Sequence, residues 1–281
     1  MKTLLTLLEK EFIEYRIVIK LPLFLALFAV VNFMLVMSGD NVSVSIQSTG
    51  NGVIDWGGNS DQFAGLIGKL NEIVAGILSL TLFLIYVPKT LRKEKQEGTL
   101  LFWRSAPVSD HLMIFAKLLF VLVIVPFIAS LLLLFSDFIV WLMASFWLHG
   151  DMMASMGISL SGIMVHWVEF IGRLSIMSLA LFPLACILLV ISQLVRYPLL
   201  TVIMGVVLIK IALFQATGAG AAGSMFSDIY WLPVSILTGS SPMVVYLSFG
   251  LLSNVSLLTI GVLMYLFSCW LRGRDDASRM I

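Results

Sequence analysis

Residues that could carry catalytic or metal chemistry are few and widely separated in this chain. The histidines (His111, His149 and His166) form no ligand cluster, and the cysteines (Cys186 and Cys269) form no CxxC pair and lie in apolar runs. We find no phosphate-binding loop with a Gly-Lys-Ser/Thr ending, and no apolar stretch with a Ser-His or paired-Asp arrangement. The sequence therefore predicts neither an enzyme nor a chain with its own metal or cofactor.

Ionisable residues inside apolar runs are the stronger candidates, because a charge in lipid is costly unless it faces protein or water. Lys210 lies about 12 residues, roughly 18 Å, into such a run and is a candidate for lining a translocation pathway. It could pair with Asp137, Glu169 or Asp228, or its side chain could extend to the outer surface.

Three further residues are candidates for structural ion pairs, namely Asp137, Glu169 and Arg173. Glu169 and Arg173 have the i to i+4 spacing that favours a helical pair, and His166 falls on the same helical face. Asp137 interrupts a long apolar run, and we expect it at the outer membrane interface.

The composition indicates the environment that must hold these residues. Of 281 residues, 60% are hydrophobic and 12% are charged. Soluble domains are about half apolar and about a quarter charged. The net charge of +1 gives no basic field for nucleic acid. We predict an all-α integral membrane protein, with residues 1–281 forming a single transmembrane domain.

Six apolar runs approach the roughly 20 residues that a membrane-spanning helix needs. We place the spans at residues 21–37, 72–87, 112–135, 163–194, 199–216 and 248–271. The third run is too long for one span, so Asp137 is expected to end it. Residues 138–148 would then lie at the headgroup level with Trp141 and Trp147.

Two further segments are apolar but do not span. Residues 1–20 are predicted to form an amphipathic interfacial helix and not a cleaved signal peptide, either a simple anchor or a lever that touches a partner. Residues 226–247 are broken by Pro233, Gly239-Ser240-Ser241 and Pro242, which predicts a re-entrant or interfacial hairpin before the sixth span. The polar stretch 38–71 is an outer loop without an assigned role.

The distribution of positive charge predicts the orientation. With six spans, fourteen of the 17 lysines and arginines fall on the side of both termini, and Lys69 alone falls in an outer loop. Both termini are therefore expected in the cytoplasm.

The cytoplasmic segment 89–111, between spans two and three, combines charged and aromatic residues. A charged helix is expected to end near Gly98, and Leu101, Phe102 and Trp103 follow. Exposed aromatic residues beside charges are typical of docking surfaces. An ordinary inner loop held by lipid charge explains the residues equally well.

This segment resembles the membrane subunits of ABC-2 type ABC exporters, which carry a pattern close to E-x-x-E-G-T, then S-x-P-V-S, then a lysine that opens the third span. The chain shows Glu94, Glu97, Gly98, Thr99, Ser105, Pro107, Val108, Ser109 and Lys117 in that order. The spans, the N-terminal helix and the broken hairpin also fit this family, although only the motif is specific.

The resemblance implies a permease half whose cytoplasmic segment couples to a separate ATPase. The implied coupling residues are Glu94, Glu97, Gly98, Thr99, Leu101, Phe102, Trp103, Ser105, Pro107 and Val108. Two ATPase copies, which carry ATP and Mg, would join two permease copies, expected as a homodimer in the inner (cytoplasmic) membrane. The apolar interior favours a hydrophobic or amphipathic substrate, and the alternative is a secondary transporter or channel without an ATPase.

Overall fold

The computed structural model describes residues 2–38, 63–96, 108–148, 150–217 and 221–274, and every regular element in those ranges is helical. In chain order the elements are α1 (Lys2–Glu14), α2 (Ile17–Ser38), α3 (Leu66–Gln96), α4 (Asp110–Leu119), a π-helical turn (Phe120–Ile124), α5 (Val125–Trp147), α6 (Gly150–Ser155), α7 (Leu160–Leu194), α8 (Pro198–Thr217), α9 (Ala221–Thr238), α10 (Pro242–Ser248) and α11 (Leu251–Arg274).

Six helical stretches in the described ranges are long and apolar enough to cross a membrane, which confirms the expected all-α protein with six long apolar helices. They are Ile17–Leu35, Ile67–Glu94, Asp110–Phe146, Leu160–Leu194, Pro198–Gln215 and Leu251–Arg274. The stretches in α3, in α4 to α5 and in α7 are half buried, whereas those in α2, α8 and α11 are mostly exposed. The bare helices therefore need lipid or another protein around them.

The helix continues past Asp137, where the third span is expected to end, and the position of that end relative to the membrane stays a prediction. The chain stays helical from Asp110 to Trp147, with one π-helical turn at Phe120–Ile124. That turn immediately precedes Pro126, which has no N–H to donate and crowds the carbonyl four residues back. The Val125 N–H instead bonds to the Phe120 carbonyl, and the wider turn keeps the helix continuous.

The two predicted non-spanning segments also differ in detail from the expectation. The N-terminal amphipathic helix ends at Glu14, and a new helix begins at Ile17, so residues 1–20 are not one element. In the predicted hairpin, Pro233 lies inside α9 and does not break it, whereas the break at 239–241 is present. A re-entrant position for this helix pair stays a prediction.

The chain divides into two compact units, each with its own packing. The first unit comprises residues 1–15, 80–125 and 173–281, and the second comprises residues 16–79 and 126–172. The second unit has an apolar core that includes Phe63, Ala144, Met156, Ile158 and Ile163. The first unit holds the candidate functional site.

In the first unit, α11 lies against α7 at a glycine. A Cβ atom built on Gly261 would lie 2.9 Å from a ring carbon of Phe182 and 3.0 Å from the Cα atom of Pro183. Backbone atoms at that distance cannot move aside independently, so this crossing needs glycine.

We expect Gly261→Ala to lower the stability of the purified protein by about 1–3 kcal/mol, the usual cost of overpacking. Gly273→Ala is the matched control, because the same helix has open space around Gly273. Thermal unfolding in detergent should show a lower midpoint for Gly261→Ala and an unchanged or slightly higher midpoint for Gly273→Ala. Equal midpoints for both variants would mean that the helices do not cross at Gly261.

Candidate functional site

Four charged side chains are buried together in the first unit, although each comes from a different helix. Glu11 lies on α1, Glu94 near the end of α3, Lys117 on α4 and Arg272 near the end of α11. None of the four is more than 5% exposed. Burial of isolated charges is prohibitive, so this cluster depends on the pairing of its members.

Lys117 lies at the centre of the network and uses all three of its donors. Its Nζ atom is 2.6 Å from Oε1 of Glu11, 2.9 Å from Oγ1 of Thr90 and 3.0 Å from Oε1 of Glu94. An ammonium group has three N–H donors, and each has an oxygen partner here. Lys117 therefore links α1, α3 and α4 through one atom.

Glu94 is the second branch point. Its Oε1 atom also accepts a hydrogen bond from Nζ of Lys10 at 2.7 Å, and its Oε2 atom lies 3.0 Å from Nη1 of Arg272. Nε of Arg272 donates in turn to Oδ1 of Asp110 at 3.1 Å. The network thus ties the end of α11 to the end of α3 and to the first residue of α4.

Aromatic rings pack around the buried charges. The Tyr86 hydroxyl donates to Oε2 of Glu11 at 2.6 Å, so both carboxylate oxygens of Glu11 have partners. The rings of Tyr15 and Phe120 lie 4.6 Å and 5.0 Å from the Tyr86 ring, and Phe12 meets Phe120 edge-to-face at 5.1 Å. These rings exclude water, which strengthens each ion pair that they surround.

Local sequence explains how α4 reaches this position. Ser109 precedes the helix in an extended conformation, and its hydroxyl accepts a long hydrogen bond from the Leu112 N–H at 3.4 Å, the arrangement of an N-cap. Val108 packs against a small apolar cluster formed by Leu7, Met113 and Ala116. The apolar face of α1 therefore lies on α4, and the same contact brings Glu11 to Lys117.

The pairing of opposite charges in the network favours a structural device over a catalytic centre. Among the described residues, four carboxylates (Glu11, Glu14, Glu94 and Asp110) meet three cations (Lys10, Lys117 and Arg272). A buried ion pair adds little net stability compared with apolar residues, but loss of one partner is costly because the other charge stays buried. The network thus imposes one arrangement of four helices.

Most of the predicted coupling residues lie outside the described residues. These are Glu97, Gly98, Thr99, Leu101, Phe102, Trp103, Ser105 and Pro107. Glu94 and Val108, which flank them, lie in the network and in the adjacent apolar cluster. Because Lys117 bonds to Glu94, the first and last residues of the recognised motif are in direct contact.

Sequence reasoning missed Glu11 and Arg272. Glu11 follows Leu7 by four residues and precedes Tyr15 by four, so it lies on the buried stripe of α1, where a charge needs a partner. This spacing could have identified Glu11 as a buried charge from the sequence. Arg272 gave no signal, since basic residues are common after a last span.

The second unit contains a separate buried polar group around Asp137. The Asp137 side chain is fully buried within the protein, and its expected place at the outer membrane interface stays a prediction. Its Oδ2 atom lies 2.7 Å from Nδ1 of His166, and Nδ2 of Asn71 donates to Oδ1 at 3.1 Å. The Phe63 ring stacks on His166 with a centroid distance of 5.6 Å.

The remaining candidates lie in the first unit, apart from Glu169. Nζ of Lys210, an exposed side chain on α8, donates to the Tyr230 hydroxyl at 3.3 Å. Arg173 is buried and donates to the Ile236 and Leu237 carbonyls at 2.8 Å and 3.2 Å, where its charge suits the C-terminal end of α9. The pairing of Arg173 with Glu169, an exposed residue, stays a prediction.

A comparison of this chain with models of protein families, with curated proteins and with solved structures finds no match.

We expect Lys117→Met to destabilise the protein by about 3–5 kcal/mol, because Glu11 and Glu94 each lose a buried partner. Adding Glu11→Gln should recover part of that loss, since the double variant leaves one fewer unbalanced charge. Thermal unfolding of the wild type and both variants in detergent measures this order. Lys20→Met, at an exposed lysine, serves as the control and should match the wild type. An equally unstable double variant would contradict the coupling between Glu11 and Lys117.

Proposed function

We propose that this chain is the membrane-spanning permease subunit of an ATP-driven exporter of the ABC-2 type. The observation that carries the proposal is the contact between Glu94 and Lys117 at 3.0 Å. These residues begin and end the motif that resembles this family, and no local spacing rule would bring them together. A pattern recognised in the sequence thus corresponds to a physical junction in the fold.

The proposed mechanism follows from this junction. The predicted coupling segment lies between Glu94 and Lys117, and its two ends are fixed to α1 and α11 by buried ion pairs. Closure of two ATPases on ATP would push the segment, and a rigid base would carry that displacement into the attached helices. Packed helices of this kind move as rigid bodies and switch between discrete arrangements.

The exposed face of α8 is a reason to propose a second permease copy. Lys210 lies about 18 Å along the helix from Pro198, and its side chain is exposed on a helix that is mostly bare. A charge near mid-bilayer is costly unless it faces protein or water. In a homodimer, the second copy or a shared aqueous pathway would provide that environment for Lys210.

The remaining parts of the proposal follow the sequence pattern. The positive charges favour both termini in the cytoplasm, with the chain in the inner membrane. ATP and Mg would bind to the separate ATPase, of which two copies join two permeases. The largely apolar surfaces of the spans favour a hydrophobic or amphipathic substrate.

Site-specific crosslinking tests the coupling to an ATPase directly. We would place a photoreactive benzoylphenylalanine at Phe102 and express the tagged chain together with its neighbouring ATPase gene. The control position is Leu252, which is 85% exposed but lies at the opposite end of the predicted topology. We expect a crosslink to a phosphate-loop protein from position 102 and none from position 252.

A charge reversal provides the functional arm of this test. Glu97→Lys should reduce the co-purifying ATP hydrolysis roughly tenfold, because about 1.4 kcal/mol of docking energy corresponds to that factor. Asp151→Lys reverses a charge in the predicted outer loop and should leave the hydrolysis unchanged. If no ATPase crosslinks or co-purifies in nanodiscs, the exporter proposal fails.

The buried Asp137–His166 pair favours a second candidate function, a secondary transporter driven by protons. Ionisable residues buried in membrane-spanning helices often form proton relays. Such a transporter needs no ATPase, and segment 89–111 would then be an ordinary inner loop. The primary proposal treats the same pair as structural.

Dye transport by the chain alone in proteoliposomes separates these candidates. We expect a pH gradient to drive no movement of a hydrophobic dye, and we expect Asp137→Asn to reduce stability by about 1–3 kcal/mol, since His166 loses its charged partner. Glu169→Gln, at an exposed carboxylate, is the control. Transport driven by the gradient that is lost in Asp137→Asn but kept in Glu169→Gln would favour the secondary transporter.

A further inference from the structure

A cavity of about 490 Å³ lies in the first unit, between the end of α3 and the short turn that joins α7 to α8. The buried ion-pair network does not use it. Four cationic side chains line it, namely Lys89, Arg92, Lys93 and Arg196, and no carboxylate is among the described residues of its lining. The cavity therefore has a concentrated positive charge.

The cations of this cavity differ from those of the network in their partners. Arg92 donates from Nη1 to the Val195 carbonyl at 3.3 Å, which orients the guanidinium, but its enclosed Nε atom has no hydrogen-bond partner within the described ranges. In the same part of the structure, neither Lys89 nor Arg196 forms an ion pair with a carboxylate. The guanidinium of Arg196 lies over the Tyr197 ring, 5.7 Å from its centroid. Donors therefore remain available for an anion.

Two further features keep the cavity attractive to an anion. The 20-residue helix α8 begins at Pro198 in the cavity wall, and the first-turn amides of a helix carry partial positive charge. Burial raises the pKa of the Tyr15 phenol well above its usual range, so this wall residue stays neutral. No group in the described lining opposes the positive charge.

Apart from Gln96 and two tyrosines, the rest of the wall is apolar. Pro88 and Pro198 are buried, whereas Leu199 and Leu200 are exposed and belong to the first turn of a helix with the composition of a membrane span. Soluble anions such as inorganic phosphate gain nothing from such a wall. A ligand that uses both parts has an anionic head and an acyl chain.

We infer that this cavity binds the headgroup of an anionic phospholipid, with the phosphate among Lys89, Arg92 and Arg196 and the acyl chains along Leu199 and Leu200. The orientation proposed above would place this cavity at the cytoplasmic leaflet. Binding itself rests only on the cavity and does not require an ATPase. The occupied site would bridge α3 and the α7–α8 turn.

The test uses the full chain purified in detergent without an ATPase and stripped of lipid. Native mass spectrometry would follow titration with phosphatidylglycerol and with phosphatidylcholine of the same chain length. We expect phosphatidylglycerol to bind at least tenfold more tightly. Equal affinities for the two lipids would overturn the inference.

The variants locate the binding site. Arg92→Gln combined with Arg196→Gln should weaken phosphatidylglycerol binding roughly 25-fold, at about fivefold for each cation removed near an anionic lipid. The matched control is Arg274→Gln, because Arg274 is also exposed and also lies over an aromatic ring, that of Trp270 at 5.0 Å. It should bind as the wild type does. A double variant that binds normally would overturn the inference.

Two further experiments address misfolding of the double variant and binding of soluble anions. If the double variant fails to purify as a monodisperse protein, Lys89→Gln changes one exposed cation of the cavity and should weaken binding about fivefold. Unchanged binding by that variant would contradict the inference. Glycerol phosphate should not displace the lipid at equal concentration. Full displacement would identify a soluble phosphate compound as the ligand and overturn the lipid assignment.

Discussion

The arrangement of the first unit depends on burying the ammonium group of Lys117. A charge that is 2% exposed must find acceptors for all its donors, and these come from Glu11, Thr90 and Glu94. They lie on two helices other than its own, so the requirement of one side chain fixes the positions of three helices. Arg272 extends the same requirement to a fourth helix.

The network also bears on the two roles considered for the N-terminal helix. A helix that only anchors the chain would place its apolar side in lipid and its charges in water. In α1, however, Glu11 points into the protein and Lys10 bonds to Glu94 at the end of α3. These contacts favour the lever, because any displacement of the segment after Glu94 must either move α1 or break buried ion pairs.

Hydropathy predicted the six long helices because a run of about 20 apolar residues is visible in the local sequence and needs no knowledge of the fold. It cannot reveal contacts that depend on a distant partner. Asp137 continues its helix because Asn71 and His166 satisfy its carboxylate, and nothing near it in the sequence reveals them. Glu11 and Lys117 are separated by more than a hundred residues, so the pair follows only from the packing of α1 on α4.

The two groups of cations in the first unit differ in how far the protein supplies acceptors for their donors. Lys117 has no donor left for a ligand, because the protein itself supplies every acceptor, so its charge can only hold helices together. The guanidinium of Arg92 is held by one carbonyl, and its enclosed Nε donor has no hydrogen-bond partner among the residues that the structure describes. An enclosed donor of this kind costs free energy until an acceptor arrives. The proposed ligand would supply that acceptor beside α8, outside the ion-pair network.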